Sequence, residues 1–119
     1  MAWSFTSDKP VYLQIAQRIT TSVLSGEYKA GEQIPTVRQL ALESAVNPNT
    51  IQHAFAELES RGLIVSQGTV GRYVTEDTAV IEACRKQTTE QLIKGFVSDI
   101  TKLSVTKEQI IAMLKEEMQ

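Results

Sequence analysis

Between Asn47 and His53 the chain gathers Asn47, Asn49, Thr50, Gln52 and His53: three carboxamides, a hydroxyl and an imidazole, with no acid before Glu57. These groups suit hydrogen-bonded recognition better than bond making. Asn and Gln can pair with the edge of an adenine, and an acid-free leading end lets a helix approach phosphates. Other chemistry has less to work with. Glu57 and Glu59 are neighbouring acids on a polar helix face, His53 is the only histidine, and Cys84 is the only cysteine. None of them has a spacing that suits general acid–base work, nucleophilic attack or a metal site, so neither an enzyme nor a cofactor is expected. A single cysteine cannot close an internal disulfide, and Cys84 reads as a small buried apolar residue.

The elements that must position these residues follow from periodicity and punctuation. Trp3 and Phe5 alternate with small residues, as in a short strand or an arm laid across the body. Asp8 is the expected N-cap of a first helix, with Pro10 in its first turn and Tyr12, Ile15, Ala16, Ile19 and Val23 recurring at steps of three and four. That helix should end near Ser25-Gly26, and the linker GEYKAGEQ follows, with Gly26 and Gly31 as a C-cap and a turn. Thr36 and Gln39 form a capping box for a second helix with an inner stripe of Val37, Leu40 and Ala41. It can last only to about Ser44, because Asn47 precedes Pro48 and the residue before a proline disfavours helical geometry. Asn47 as N-cap and Pro48 at the first helical position start a third helix, whose Ile51, Ala54, Phe55 and Leu58 face inward. Arg61-Gly62 ends it. Leu63-Ile64-Val65 and Tyr73-Val74 are β-prone and separated by Gly68 and Gly71, which predicts a hairpin. Two helices, a tight turn and a strand pair from Ile34 to Val74 are the order of a winged helix-turn-helix.

From Ala79 onward there is no proline and only Gly95 among glycines. One long helix is expected from Ala79 to about Leu103, with Ile81, Cys84, Leu92, Ile93, Phe96, Val97, Ile100 and Leu103 on a broad apolar side. Thr106 and Gln109 repeat the capping box before a last helix carrying Ile110, Ile111, Met113, Leu114 and Met118. The fold class is therefore α+β: a winged helix-turn-helix of three helices and a β-hairpin over residues 1–78, then a two-helix appendage over 79–119.

At 119 residues the chain can hold one compact domain of modest core with such an appendage. Its start lacks the zones of a signal peptide and no apolar run approaches a membrane span, so it is read as cytoplasmic with no membrane partner. The formal net charge is −2, and the first 78 residues hold 6 Lys and Arg against 8 Asp and Glu. An acidic balance weighs against nucleic-acid binding unless charge is placed locally and two copies act together. It also keeps open a second function, a winged-helix module for protein contacts without DNA binding.

With the inner stripe of the third helix facing the core, its opposite face carries Asn49, Gln52, His53, Ala56 and Ser60, with Thr50 at the margin. A solvated face is the plain reading of any one of these residues; the flanking turn and hairpin make the group a DNA-reading face. Asn49 and Gln52 are then expected on base edges, and Asn47, Thr50 and His53 on phosphates or mixed contacts, with free N–H groups at the helix N-terminus helping to hold a phosphate. Arg38 sits in the first turn of the second helix, where a cation opposes the helix dipole and a phosphate would relieve it. In the hairpin, Gly68 and Gly71 either let the backbone approach a minor groove, with Thr69 and Arg72 as contacts, or are simply turn glycines.

The segments IPTVRQLA, VNPNTI and LESRGLI closely resemble the winged-helix domain of the GntR family of bacterial transcription regulators, and the short tail looks like that of its YtrA-like subfamily. The likeness extends back to PVYLQIAQRI and GEYKAGEQ. It implies that Arg38 matches a phosphate- or base-contacting arginine, and that Asn47, Asn49, Thr50 and Gln52 occupy recognition-helix contact positions. Many relatives carry arginine where this chain has Pro48, and again at Gln52, so no operator sequence carries over. The wing usually has Gly-x-Gly before a small residue, an aromatic and Val; here the run is TVGRYV, with Thr69 in place of the first glycine.

By the same resemblance residues 79–119 form a dimerisation appendage, and the expected function is a homodimeric repressor of double-stranded DNA at a palindromic operator, with control of a neighbouring transporter operon. Forty-one residues are too few for a separate ligand-binding core. No small-molecule effector is identified; were a pocket present between appendage and winged domain, Trp3, Tyr12 and Tyr28 would be its lining.

Overall fold

The computed structural model describes residues 3–68 and 71–119. These residues form α1 (Val11–Leu24), α2 (Val37–Ser44), α3 (Pro48–Ser60), β1 (Ile64–Ser66), β2 (Arg72–Val74), α4 (Thr78–Ile100) and α5 (Lys107–Glu117), with a 3-10 turn at Thr101–Leu103. The chain divides into two compact units, Met1–Cys84 and Arg85–Gln119, and α4 belongs in part to each. Among the described residues no helix is long and apolar enough to cross a membrane.

Helix α1 starts later than the sequence predicts. Pro10, in extended geometry at ψ 139°, is the N-cap, and Asp8 is not. For Asp8 to cap, Lys9 would have to be helical immediately before a proline, which the proline ring disfavours. The entry is braced instead by Gln14, whose Nε2 donates to Thr6 O and Lys9 O, each at 2.8 Å, while Thr6 N donates to Gln14 Oε1 at 3.0 Å. Asp8 accepts a hydrogen bond from Thr6 Oγ1, which holds its carboxyl below the usual carboxylate range. Trp3 and Phe5 lie in an irregular arm, not a strand, half-buried against the core, and the Arg18 guanidinium sits 4.1 Å above the Trp3 ring.

The core of the first unit is built where the apolar periodicities meet. Ile51, Ala54, Phe55 and Leu58 of α3 are completely buried, against Ile15, Ala16 and Ile19 of α1, Leu40 of α2, and Leu63, Ile64 and Val74 around the hairpin. Ile81, near the start of α4, closes it, and Cys84 is only half-buried at its edge, not fully enclosed as expected.

Helix α2 has the predicted capping box: Gln39 N donates to Thr36 Oγ1 at 3.1 Å and Thr36 N to Gln39 Oε1 at 2.7 Å. It stops at Ala45, which adopts the left-handed conformation at φ 59°. A Cβ makes that conformation cost on the order of 1 kcal/mol, and glycine is the usual occupant. The reversal fixes the angle at which α3 leaves, and Asn47 with Pro48 starts α3 as expected.

The hairpin pairs Ile64 with Val74, Val65 with Tyr73 and Ser66 with Arg72 in antiparallel register. Residues 31–34 add a third edge, most of it in the segment GEYKAGEQ that was expected to be a linker. Gly31 N donates to Val74 O at 3.0 Å, Val74 N to Glu32 O at 2.8 Å and Ile34 N to Arg72 O at 3.0 Å. Gly71 beside this edge is at φ 135°, a backbone conformation that would strain any residue with a Cβ.

In the second unit, α4 continues to Ile100, the 3-10 turn ends at Ser104 in left-handed geometry, and Thr106 caps α5 with a second complete capping box to Gln109. Leu92, Ile93, Phe96, Val97, Leu103, Ile111, Met113, Leu114 and Met118 are all exposed in the single chain.

Candidate nucleic-acid interface

The first turn of α3 is closed by Asn47. Its Oδ1 accepts from Asn49 N at 2.8 Å, and its carbonyl accepts from Thr50 N at 2.9 Å and Ile51 N at 3.3 Å. Pro48 has no N–H. Of the N–H groups expected to be free at this end, those of Asn49, Thr50 and Ile51 are already paired with Asn47, because Asn is an efficient cap. What faces outward is side chain. Asn47, Asn49, Gln52, His53, Ala56 and Ser60 are exposed, Thr50 is half-buried, and the first turn holds no acid. With the Asn47 carbonyl oxygen occupied in capping, its Nδ2 is the end left to donate.

The two acids farther along α3 are each paired with an arginine. Arg61 Nη2 lies 3.5 Å from Glu57 Oε1, and Arg72 Nε donates to Glu59 Oε1 at 3.3 Å. Pairing masks negative charge that would otherwise repel a polyanion. Arg72 also donates from Nη2 to Gln52 Oε1 at 3.2 Å and lies over the Phe55 ring, 5.1 Å from its centre. The structure thus places Arg72 in β2, against the α3 residues Gln52 and Glu59. Thr69, its expected companion at the wing tip, lies outside the described residues.

His53 stacks on Tyr12 of α1, with ring centres 3.5 Å apart and planes 8° from parallel. The stack holds the imidazole flat against α1 while its edge remains accessible. Tyr12 is therefore a support for the α3 face, a role that its place in the α1 periodicity did not reveal. Glu59 is another such support, since its Oε2 also accepts from Ser66 Oγ at 3.0 Å. Arg38 is exposed in the first turn of α2 and lines a shallow groove with Val37, Ala41, Leu42, Val46 and Pro48, so it stands beside the start of α3.

Of the aromatic residues considered for an effector pocket, Trp3 and Tyr28 share a cavity of about 70 Å³ with Arg18 and Glu43, all within the first unit, and Tyr12 is not part of it. That volume is well below the roughly 300 Å³ at which small-molecule sites begin. Burial, then the neighbouring Glu27, Glu43 and Glu32, push the Tyr28 hydroxyl up from its ordinary value, with Arg18 opposing.

A family model for bacterial regulatory proteins of the gntR family matches residues 11–74, from the first residue of α1 to the last of β2. The chain belongs to the gntR family. It is 35% identical to the HTH-type transcriptional repressor YtrA of Bacillus subtilis over 112 residues, 92% of this chain and 85% of that one. Its fold matches a GntR family transcriptional regulator from Listeria monocytogenes with a TM-score of 0.86 and 42% identity, covering 94% of this chain and 98% of that one. The DNA-binding domain of AraR, solved in complex with operator ORX1, matches at a TM-score of 0.56 and 27% identity, covering 63% of this chain and 93% of that domain. As a member of the gntR family the chain is a winged-helix DNA-binding transcription regulator, and its relatives are regulators rather than enzymes.

Proposed function

We propose that the chain is a cytoplasmic homodimeric repressor that reads a palindromic operator with α3. Residues 1–78 are the DNA-binding domain and residues 79–119 the dimerisation appendage. The observation that carries the reading is the exposed face of α3. Carboxamides lead it, its first turn is free of acid, and Glu57 and Glu59 behind it are paired with arginines. Asn49 and Gln52 are assigned to base edges, Asn47, Thr50 and His53 to phosphates or mixed contacts, and Arg38 to a phosphate from the adjoining helix. Thr69 is retained as the wing contact, whereas Arg72, expected beside it, is assigned instead to Glu59 and Gln52. The operator complex of the AraR domain supports a duplex as partner, and the name of YtrA supports repression.

The dimer is supported by charge and by apolar exposure. A single copy carries a net charge of −2, which favours two weak footprints over one strong one. The apolar residues of α4 and α5 that stand in solvent supply the surface a second copy would cover. Two copies related by a two-fold axis would set their α3 helices about one helical turn of DNA apart, roughly 34 to 36 Å. By resemblance, the regulated genes are a neighbouring transporter operon.

Footprinting of the DNA upstream of the chain's own gene tests the proposal. The expected result is a protected two-fold symmetric stretch whose affinity falls steeply with salt and is weakened by Arg38→Ala and Gln52→Ala. Protection that ignores both substitutions would rule out α3 as the reader.

A further inference from the structure

The carboxamide of Gln52 can face outward with either of two chemically opposite ends, an acceptor oxygen or a donor NH2. A side chain free to turn over discriminates poorly between base edges. Here Arg72 removes the choice. Its Nη2 donates to Gln52 Oε1 at 3.2 Å, and because a guanidinium has no acceptor, only the carbonyl end of Gln52 can make this contact. Arg72 is itself held from two further directions, by the Glu59 carboxylate at 3.3 Å and by the buried Phe55 ring at 5.1 Å. Its backbone is fixed as well, since its carbonyl accepts from Ile34 N at 3.0 Å. The Nε2 group of Gln52 is left as the outward end.

We propose that Arg72 is a positioning residue for base reading. It holds Gln52 by its carbonyl so that α3 presents an N–H donor, and the base beneath Gln52 is one with an acceptor in the major groove, a purine N7, guanine O6 or thymine O4, rather than the amino group of cytosine. The charge of Arg72 is engaged by Glu59 and neutralises no phosphate. This inference rests on the reading of α3 as the DNA-contacting helix.

The test uses the full chain and the duplex it enriches from a randomised pool, with each operator position changed to all four bases. Arg72→Met should reduce discrimination against cytosine at one position per half-site by about fivefold, the value of one hydrogen bond. Preferences elsewhere and the dependence of affinity on salt should be unchanged. Glu59→Gln should give a smaller loss at the same position, and Arg72→Lys should restore part of it. In a Gln52→Ala background, Arg72→Met should alter the base profile no further. An equal loss for every base with a salt slope shallower by about one would make Arg72 a phosphate contact and overturn the proposal. An equal loss that tracks a lowered melting temperature, with the slope intact, would make it merely structural and also overturn it. Failure of the unaltered chain to enrich any duplex would instead overturn the reading of α3 on which the proposal stands.

Discussion

Helix α3 and the helices of the second unit carry similar proportions of apolar residues and treat them in opposite ways. In α3 the inward residues Ile51, Ala54, Phe55 and Leu58 are wholly removed from solvent by α1, α2 and the hairpin. In α4 and α5, Leu92 is 68% exposed, Met113 66% and Phe96 40%. The first unit therefore completes its core from its own chain, and its outward face is polar and available for recognition. The second unit leaves its apolar side uncovered, which is costly for a single copy in water. The difference accords with the proposed division of labour, reading by the first unit and pairing of two copies by the second.

Substitutions on the two sides should fail in different ways. Phe55→Ala should cost about 3 to 5 kcal/mol of stability in urea or thermal unfolding, because it empties a site with no exposed edge and removes the ring beneath Arg72. A loss under 1 kcal/mol would show that the core is not closed at α3. Phe96→Glu should leave the winged unit folded but convert the protein to a monomer by sedimentation, and weaken operator binding by about 100-fold through lost avidity. A dimer that survives this change would place the pairing surface elsewhere.

Smaller effects test the geometry that aims α3. Ala45→Gly should stabilise the protein by about 1 kcal/mol by relieving the left-handed alanine, read as a raised melting temperature; a lowered one would contradict the turn geometry. Tyr28 has a hydroxyl pushed above its ordinary value of 10.0, so the folded state holds the proton more tightly than the unfolded chain. Its contribution is complete below pH 10 and is lost as pH rises beyond that. Tyr28→Phe should flatten this alkaline fall in stability, and an unchanged fall would assign it to other groups.

Much of this was legible because the signals are local. Both capping boxes, Thr36 with Gln39 and Thr106 with Gln109, span three residues, and Asn47-Pro48 announces the start of α3 by itself. The Asp8 cap failed for an equally local reason, the restriction that Pro10 places on Lys9. The remaining misses are contacts across the fold. The edge at residues 31–34 is too short to show an alternating pattern and exists only because β2 lies beside it. The partnership of Arg72 with Gln52 joins residues twenty positions apart, and that of Tyr12 with His53 joins two helices; neither has a periodicity to announce it. The α3 face was readable as a set of residue types, whereas the orientation of its amides emerged only from packing.

In the proposed function two copies of this chain, paired through the second unit, read DNA with α3. Enrichment of a randomised duplex pool by the full chain at low salt, followed by sequencing, tests it most directly. The expected result is a two-fold symmetric motif with half-sites about one helical turn apart, lost when Phe96→Glu protein is used. A pool that shows no enrichment, or a single unpaired site bound equally well by both proteins, would contradict it.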